Sequence, residues 1–400
     1  ESDVQWASRW DAYLKMQDPQ IHWFSILNSF MIVIFLSAMV AMILMRALHK
    51  DLRRYVCGSF FFFFSLRCNK VDPEELEAQI EEHGWKLVHG DVFRTPEYPS
   101  LFATLVGSGA QVIAMSFLTI IFAALGFLSP ASRGSLMTTL LILYVTLGIL
   151  AGYYSARVYK MFAETDWQKQ TLQTAFLFPG VNFAVFFILN LFIWHEGSTG
   201  AVPFGTMFLL LLLWFGISVP LVYLGAYYGY KKDPPKLPCP TNEIARMIPP
   251  QPWYMQKYFA ILVGGVLPFG AVFIEVFFIM SSVWLHRYYY MFGFLLLVFV
   301  ILILTSAEIT IVMTYFQLCA EDWQWWWRSV LTAGSAALYL FLYSILYFYT
   351  KLDIAPFVSS LLYFGYMFLI SLAFFIVSGT IGFVSTFTFV HKIYSAIKIL

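Results

Sequence analysis

Nine long apolar stretches dominate the sequence and constrain the fold more than any other feature. A helix needs about 20 apolar residues to cross the hydrocarbon core of a bilayer, and it satisfies its backbone hydrogen bonds internally. We therefore predict an all-α polytopic membrane protein with nine transmembrane helices. The predicted spans are Trp23–Ala47, Leu101–Phe127, Leu136–Tyr154, Thr171–Ile193, Val202–Tyr228, Phe259–Leu285, Tyr288–Met313, Ser329–Tyr349 and Val358–Phe389.

The composition agrees with a membrane protein. Apolar residues make up 60% of the chain and charged residues only 12%, whereas soluble domains carry roughly a quarter charged residues. Too few polar side chains are present to cover one soluble core. The sequence has no basic patch of the kind that binds nucleic acid, so we predict no nucleic-acid partner.

The distribution of lysine and arginine predicts the orientation. Nine spans place the loops alternately on two sides, and one side carries 18 of these residues against 5 on the other. Positive loops stay in the cytosol. The prediction is a lumenal N-terminus and a cytosolic C-terminus, with residues 48–100 forming the first cytosolic loop.

The cysteines and the motifs argue against enzyme chemistry. All four cysteines fall in predicted cytosolic loops or at their edges, where thiols stay reduced, so we expect no disulfide framework. The sequence contains no nucleophile elbow, P-loop or zinc-binding HExxH pattern. We predict that the chain is not an enzyme and that it has no cofactor or metal site.

Residues 1–22 are predicted to be a lumenal stub, and residues 23–400 the nine-helix membrane domain. Trp6, Trp10 and Tyr13 recur at helical spacing, which fits either an amphipathic helix on the lumenal membrane surface or a plain linker. Because the chain begins at Glu1 without a signal-like region, we expect it to be the membrane part of a longer protein.

An unusual stretch, VCGSFFFFFSLRC, occupies residues 56–68 of the first cytosolic loop. Three interpretations stay open. The stretch is a shallow membrane anchor, a segment that packs on a helix predicted from Pro73 to Gly84, or a recent insertion without a function, such as a translated intron. Phenylalanine beside arginine, which suits the interface with anionic lipid, supports the anchor, whereas pyrimidine-rich phenylalanine codons, like the tract before a splice acceptor, support the intron.

Two carboxylates, Glu275 and Glu308, lie inside predicted spans. Acids at that depth face the protein interior, where they either couple protons or cations in a transporter or remain protonated between helices. Their predicted depths differ by roughly 15 Å at 1.5 Å per residue, so they are not a catalytic pair. They are candidate steps of one relay, although Glu308 is also near enough to a predicted span end to be hydrated there.

Other intramembrane features are candidates for function or for packing. Asn182 is an amide that either serves a site or bonds two helices. Pro268, in GGVLPFG, either breaks its helix beside a cavity or kinks it. Gly225 and Gly229 form a GxxxG pair that indicates close helix contact. The tryptophan-rich EDWQWWWRS segment, residues 321–329, is interpreted as an aromatic belt at the membrane interface.

Several blocks, in order along nearly the whole chain, resemble the transmembrane nine superfamily, also called nonaspanins or the endomembrane protein 70 family. The longest are MRALHKDLRRY, GWKLVHGDVFR, RMIPPQPWY, FGAVFIEVFFI and AEITIVMTYFQLCAEDWQWWW. The family pattern has nothing that matches residues 56–68. The resemblance implies nine spans, a large lumenal domain that is mostly absent here, and residence in Golgi and endosomal membranes.

The resemblance also implies a role. Family members are linked to sorting other membrane proteins, notably those with glycine-rich spans, and no enzymatic activity is implied. The family's C-terminal Lys-x-Asp/Glu signal binds coatomer, and Lys398 occupies the lysine position, but Leu400 replaces the acid. We therefore expect a sorting factor or escort with lipid and client proteins as partners. The alternative is a proton- or ion-coupled transporter.

Overall fold

The computed structural model describes residues 84–125, 133–198, 200–284, 292–352, 354 and 356–396, together with ten helical residues between Phe30 and Met45. A few side chains inside these ranges, including that of Glu275, are not described. The predictions for residues 1–22, for the stretch 56–68 and for Lys398 lie outside the described residues.

Eleven α-helices form the part from residue 84 onward, and no strand occurs among the residues that the structure describes. They are α1 (Pro99–Ala124), α2 (Arg133–Thr146), α3 (Gly148–Met161), α4 (Trp167–His195), α5 (Phe204–Leu213), α6 (Val219–Lys231), α7 (Lys257–Trp284), α8 (Phe292–Cys319), α9 (Trp325–Gly334), α10 (Ala336–Lys351) and α11 (Phe357–Ala396).

Seven candidate membrane spans lie within the described ranges, which confirms the all-α membrane class. Four are single helices, and three are helix pairs in line: α2 with α3, α5 with α6, and α9 with α10. The predicted first span, 23–47, lies mostly outside the described residues. In α7 the apolar stretch found among them is the shorter Lys257–Phe273. The count of nine therefore stays a prediction.

Three helices extend past their predicted ends on the same side of the bundle. The structure ends α3 at Met161, α8 at Cys319 and α11 at Ala396, whereas the sequence predicted ends six or seven residues earlier. A prediction from hydropathy ends a span at the point where polar side chains begin. Here the polar last turns continue because loops bury them, as for Gln317, which is 1% exposed.

The helix breaks are irregular in different ways. A π-helical turn, Trp214–Ser218, joins α5 to α6 just before Pro220, where proline removes a backbone donor. Ser335 separates α9 from α10. Pro179 and Pro268, in contrast, lie inside the continuous helices α4 and α7.

The largest buried cluster lies at one end of the bundle, where α1, α4, α7 and α9 begin and α3, α6, α8 and α11 end. We call this the cap end. Loop residues 84–98, 232–256 and 320–324 fold over it, and we call them together the cap. Trp85, Val88 and Val92 of the cap are at most 5% exposed, so these loops form part of the core.

Candidate functional site

Hydrogen bonds to backbone carbonyls join the three loops of the cap into one folded unit. Asn242 donates its backbone N–H to the Gly90 carbonyl at 2.8 Å, and the Trp323 indole donates to the Arg246 carbonyl at 3.1 Å. The Gln251 amide donates to the Ala320 carbonyl at 2.8 Å. These loops contain three of the sequence blocks that carry the family resemblance, and the structure brings the blocks together.

The interpretation of EDWQWWWRS as an aromatic belt is wrong for its central residues. Trp325 is fully buried and Trp326 is 2% exposed, with their rings stacked at 4.2 Å. The Trp325 indole donates to the Val92 carbonyl at 2.8 Å, and the Trp327 indole to the Glu97 carbonyl at 2.6 Å. Belt tryptophans place their N–H among lipid headgroups. Here the 84–98 loop accepts those bonds instead.

Two ion pairs of contrasting burial support the cap. Arg328 Nη1 lies 3.0 Å from Asp322 Oδ2, with side chains 7% and 13% exposed. Arg328 also donates to the Met255 carbonyl at 2.8 Å, which ties the start of α7 to the 320–324 loop. Arg246 pairs with Glu321 at 2.9 Å, but these side chains are 40% and 26% exposed. The first pair holds the cap together, whereas water screens the second.

Cys239 has a free thiol, while Cys57 and Cys68 lie outside the described residues. Cys239 is 3% exposed in the 232–256 loop of the cap. Burial raises the pKa of its thiol, because the thiolate would lose its hydration. A buried thiol of this kind packs as a small apolar side chain and is unreactive.

Glu308 lies near the middle of its helix. It is 11 residues from the end of α8 at Cys319, roughly 16 Å at 1.5 Å per residue. The hydrated alternative near a span end stays a prediction, because the last turns of α8 are covered by the cap. Ser37, in the described part of the first predicted span, donates its hydroxyl to Glu308 Oε1 at 2.5 Å.

The other predicted site residues lie on α4 and α7. Glu275 lies on α7, and its side chain is not described. Pro268 is buried on α7. Asn182 lies on α4, which packs mainly against α1, α3, α6 and α11, and its amide donates to the Phe178 carbonyl of its own helix at 2.7 Å. A relay from Glu275 to Glu308 remains a prediction.

Pro179 in α4 has a packing role that the structure makes explicit. Proline lacks the N–H that would normally bond to the carbonyl four residues earlier, at Ala175. The Trp214 indole donates to that carbonyl at 3.0 Å. A side chain from the π-helical turn thus replaces the missing backbone bond, so Pro179 acts as a packing point between two spans.

A stripe of buried polar side chains on α8 was missed by the sequence analysis. Ser306, Thr310, Thr314 and Gln317 recur at helical spacing and are at most 3% exposed. Helix α11 packs against α8, and Thr310 lies beside Gly382 of α11. The Ser306 hydroxyl and the Gln317 amide nitrogen have no hydrogen-bond partner among the described residues. The spacing in TSAEITIVMTYFQ was the available signal.

Helices α3 and α6 make a close glycine contact. A Cβ at Gly152 of α3 would collide with the Val222 carbonyl, and one at Gly225 of α6 would collide with the Ile149 carbonyl. At Gly229 a Cβ would lie 2.5 Å from the Tyr153 carbonyl oxygen. The predicted GxxxG contact is therefore present, with α3 as its partner.

The opposite situation occurs on α5 and in the π-helical turn that follows it, where glycines face open space. Gly205, Leu209 and Leu212 recur at i, i+4 and i+7, so they share one side of α5, and Gly216 follows in the π-helical turn. The two leucines are 54% and 52% exposed, and a Cβ at either glycine would meet no atom within 4 Å. We call these four residues the α5 stripe.

A cavity of about 330 Å³ lies between α1, α7, α8, α10 and α11. Val112, Val276, Leu302 and Met367 are among its apolar lining residues, and Ser116 contributes a hydroxyl. Its walls suit hydrocarbon and offer little to replace the hydration shell of an ion.

The comparisons with known proteins agree on one family. The family model for endomembrane protein 70 matches residues 1–357. The chain is 58% identical over 399 residues to "Transmembrane 9 superfamily member 10" of Arabidopsis thaliana and 52% identical over 399 residues to "Transmembrane 9 superfamily member 4" of Homo sapiens. Each match covers all of this chain and 60% of the relative, so the chain spans less than two thirds of those proteins. No solved structure matches it.

Proposed function

Because the chain belongs to the endomembrane protein 70, or transmembrane 9, family, we propose that it escorts other membrane proteins to their destination membrane. We place it in Golgi and endosomal membranes, as the family resemblance implies. The proposal concerns the membrane part alone, since the curated relatives are longer. In it the chain crosses the bilayer nine times, contacts lipid, and binds clients through their transmembrane helices.

The proposed orientation puts the N-terminus in the lumen and the cap end in the cytosol. Positively charged residues are enriched in cytosolic loops. The two longer loops of the cap, 84–98 and 232–256, contain such residues, for example Arg94, Lys236 and Arg246. Coatomer binding through Lys398 stays a prediction from the resemblance.

The α5 stripe is the observation that carries the escort proposal. Transmembrane helices associate where small residues let their backbones approach closely, because lipid provides no hydrophobic drive between them. Gly205 in α5 and Gly216 in the π-helical turn each leave a shallow depression on an outer surface that is apolar. A client helix with glycines at matching spacing can lie against both depressions. The proposed clients are therefore proteins with glycine-rich spans.

Replacing Gly216 with leucine is expected to weaken client binding without unfolding the chain. The added side chain would fill one shallow depression, while a Cβ there meets no atom of the protein itself within 4 Å. We expect photo-crosslinking to a reporter with a glycine-rich span to fall about tenfold, the effect of losing about 1.4 kcal/mol of binding free energy. Thermal stability in detergent is expected to stay unchanged.

Gly270→Leu on α7 is the matched control, because Gly270 is also exposed and a Cβ at this position would likewise meet no atom within 4 Å. We expect it to crosslink like the unmodified chain. Equal loss in both variants would show a general response to added bulk, and no loss in Gly216→Leu would remove the α5 stripe from the proposal.

A proton-coupled transporter is the second candidate, favoured by Glu308 at mid-helix and its bond to Ser37. The apolar cavity between α1 and α11 argues against it. We expect the purified chain in liposomes with a pH-sensitive dye to pass protons no faster than empty liposomes. Glu275→Gln and Glu308→Gln are expected to keep client delivery in cells. A proton flux that Glu308→Gln abolishes, together with lost delivery, would reverse this ranking.

A further inference from the structure

The cap segment RMIPPQP, residues 246–252, has a backbone that its sequence largely determines. Proline fixes φ near −65° at positions 249, 250 and 252, and a residue before proline is pushed toward extended angles. Every residue from Ile248 to Pro252 obeys at least one of these restrictions. At Pro252 the angles are φ −62° and ψ 154°, close to polyproline II values. Residues 248–252 are therefore restricted to the polyproline II region, whose helix repeats every three residues.

Burial along the segment follows this three-residue repeat. Ile248 and Gln251 form the one edge that is partly buried against the protein. Arg246, Pro249 and Pro252 form a second edge, which is exposed. Met247, Pro250 and Trp253 form the third, and its first and last side chains are 91% and 69% exposed. We call the second edge the arginine edge.

The cap holds the segment rigidly at both ends. Arg246 accepts a bond from the Trp323 indole, and Gln251 donates to the carbonyls of Ala320 and Pro249 at 2.8 and 3.1 Å. A ligand held in its bound conformation loses little entropy on binding. The surface is thus preorganised before any partner arrives.

We propose that the arginine edge is a docking site for a cytosolic domain with the recognition chemistry of an SH3 domain. Such domains bind PxxP segments in grooves lined by aromatic side chains, and Pro249 and Pro252 have that spacing. Arg246 lies one further turn along the same edge, where it would meet a carboxylate at the end of the groove. The inference goes beyond the escort role and rests on the proposed cytosolic side of the cap.

The Glu321 carboxylate competes with this partner for the Arg246 side chain. It pairs with Arg246 at 2.9 Å, on a surface where both side chains contact water. An incoming domain must exchange that carboxylate for its own. Glu321→Gln removes the competing charge, so it is expected to tighten binding severalfold, a gain that damage to the fold would not produce.

The test uses the full chain in nanodiscs, where both faces are accessible, and a panel of purified SH3 domains. We expect at least one domain to bind with a Kd in the range of about 1–100 μM, and to lose at least about tenfold in affinity with Pro249→Ala or Pro252→Ala. Pro250→Ala is the matched control, because it removes a proline from the third edge, and it is expected to bind normally.

Two outcomes would overturn the proposal. One is that no domain of the panel binds at about 100 μM, or that Pro250→Ala weakens binding as much as its neighbours do. The other is that the segment lies in lipid. A dye on Met247→Cys, in a chain whose native cysteines are serine, would then be quenched by brominated lipid in the nanodisc, whereas docking from the cytosol requires it to stay unquenched.

Discussion

Gly225→Leu is expected to prevent α6 from packing on α3 and to leave most of the chain misfolded. A Cβ at this position already collides with the Ile149 carbonyl, which belongs to rigid helix backbone and cannot turn aside. The two helices would have to separate along their whole contact, including the approach of Gly152 to the Val222 carbonyl. Overpacking usually costs about 1–3 kcal/mol when side chains give way, and here no side chain can.

Size-exclusion chromatography of a fluorescent fusion in mild detergent measures this effect, as the share of chain in the monodisperse peak. We expect that share to fall at least about tenfold, which requires the loss of stability to exceed the chain's own folding free energy by about 1.4 kcal/mol. Gly216→Leu is the matched control on the same predicted span, and it is expected to elute like the unmodified chain. A normal profile for Gly225→Leu would show that α3 and α6 can separate without cost.

The membrane architecture was largely predictable, because a helix that crosses lipid must be long and apolar along its whole length. A span such as Thr171–Ile193 needs only length and hydropathy to be recognised, and the structure extends it by a few residues to α4. The ends at Met161, Cys319 and Ala396 were not predictable in the same way. They depend on loops that are distant in sequence and that bury polar final turns.

The cap was not predictable from local pattern, since the same tryptophans suit a lipid interface or a core. Trp325 is buried because segments distant in sequence pack around it, and Val92, 233 positions away, accepts its indole bond. The GxxxG pair provided a correct local hint of close contact, but the sequence did not name α3 as the partner. The polar stripe on α8, in contrast, had a period that can be read from Ser306, Thr310, Thr314 and Gln317.

Breaking the buried ion pair of the cap is expected to have a large effect on stability. In Arg328→Met, Asp322 would remain as a buried, unpaired charge and the Met255 carbonyl would lose its donor. Removing one partner of a buried pair typically costs about 3–5 kcal/mol, whereas replacing both by apolar side chains is often neutral. Arg328→Met and Asp322→Leu are each expected to lower the apparent unfolding temperature in detergent by several degrees.

The double variant Arg328→Met, Asp322→Leu separates an ionic effect from a general loss of packing. It is expected to unfold at a higher temperature than either single variant, because it leaves no unpaired buried charge. Glu321→Gln tests the exposed pair with Arg246, where the expected change is at most about 1 kcal/mol. If the double variant were the least stable of all, the cap would depend on the shapes of Arg328 and Asp322 rather than on their charges. The arginine edge, which Ala320 and Trp323 hold in place, would then lose support in the double variant as well as in the two single variants of Arg328 and Asp322.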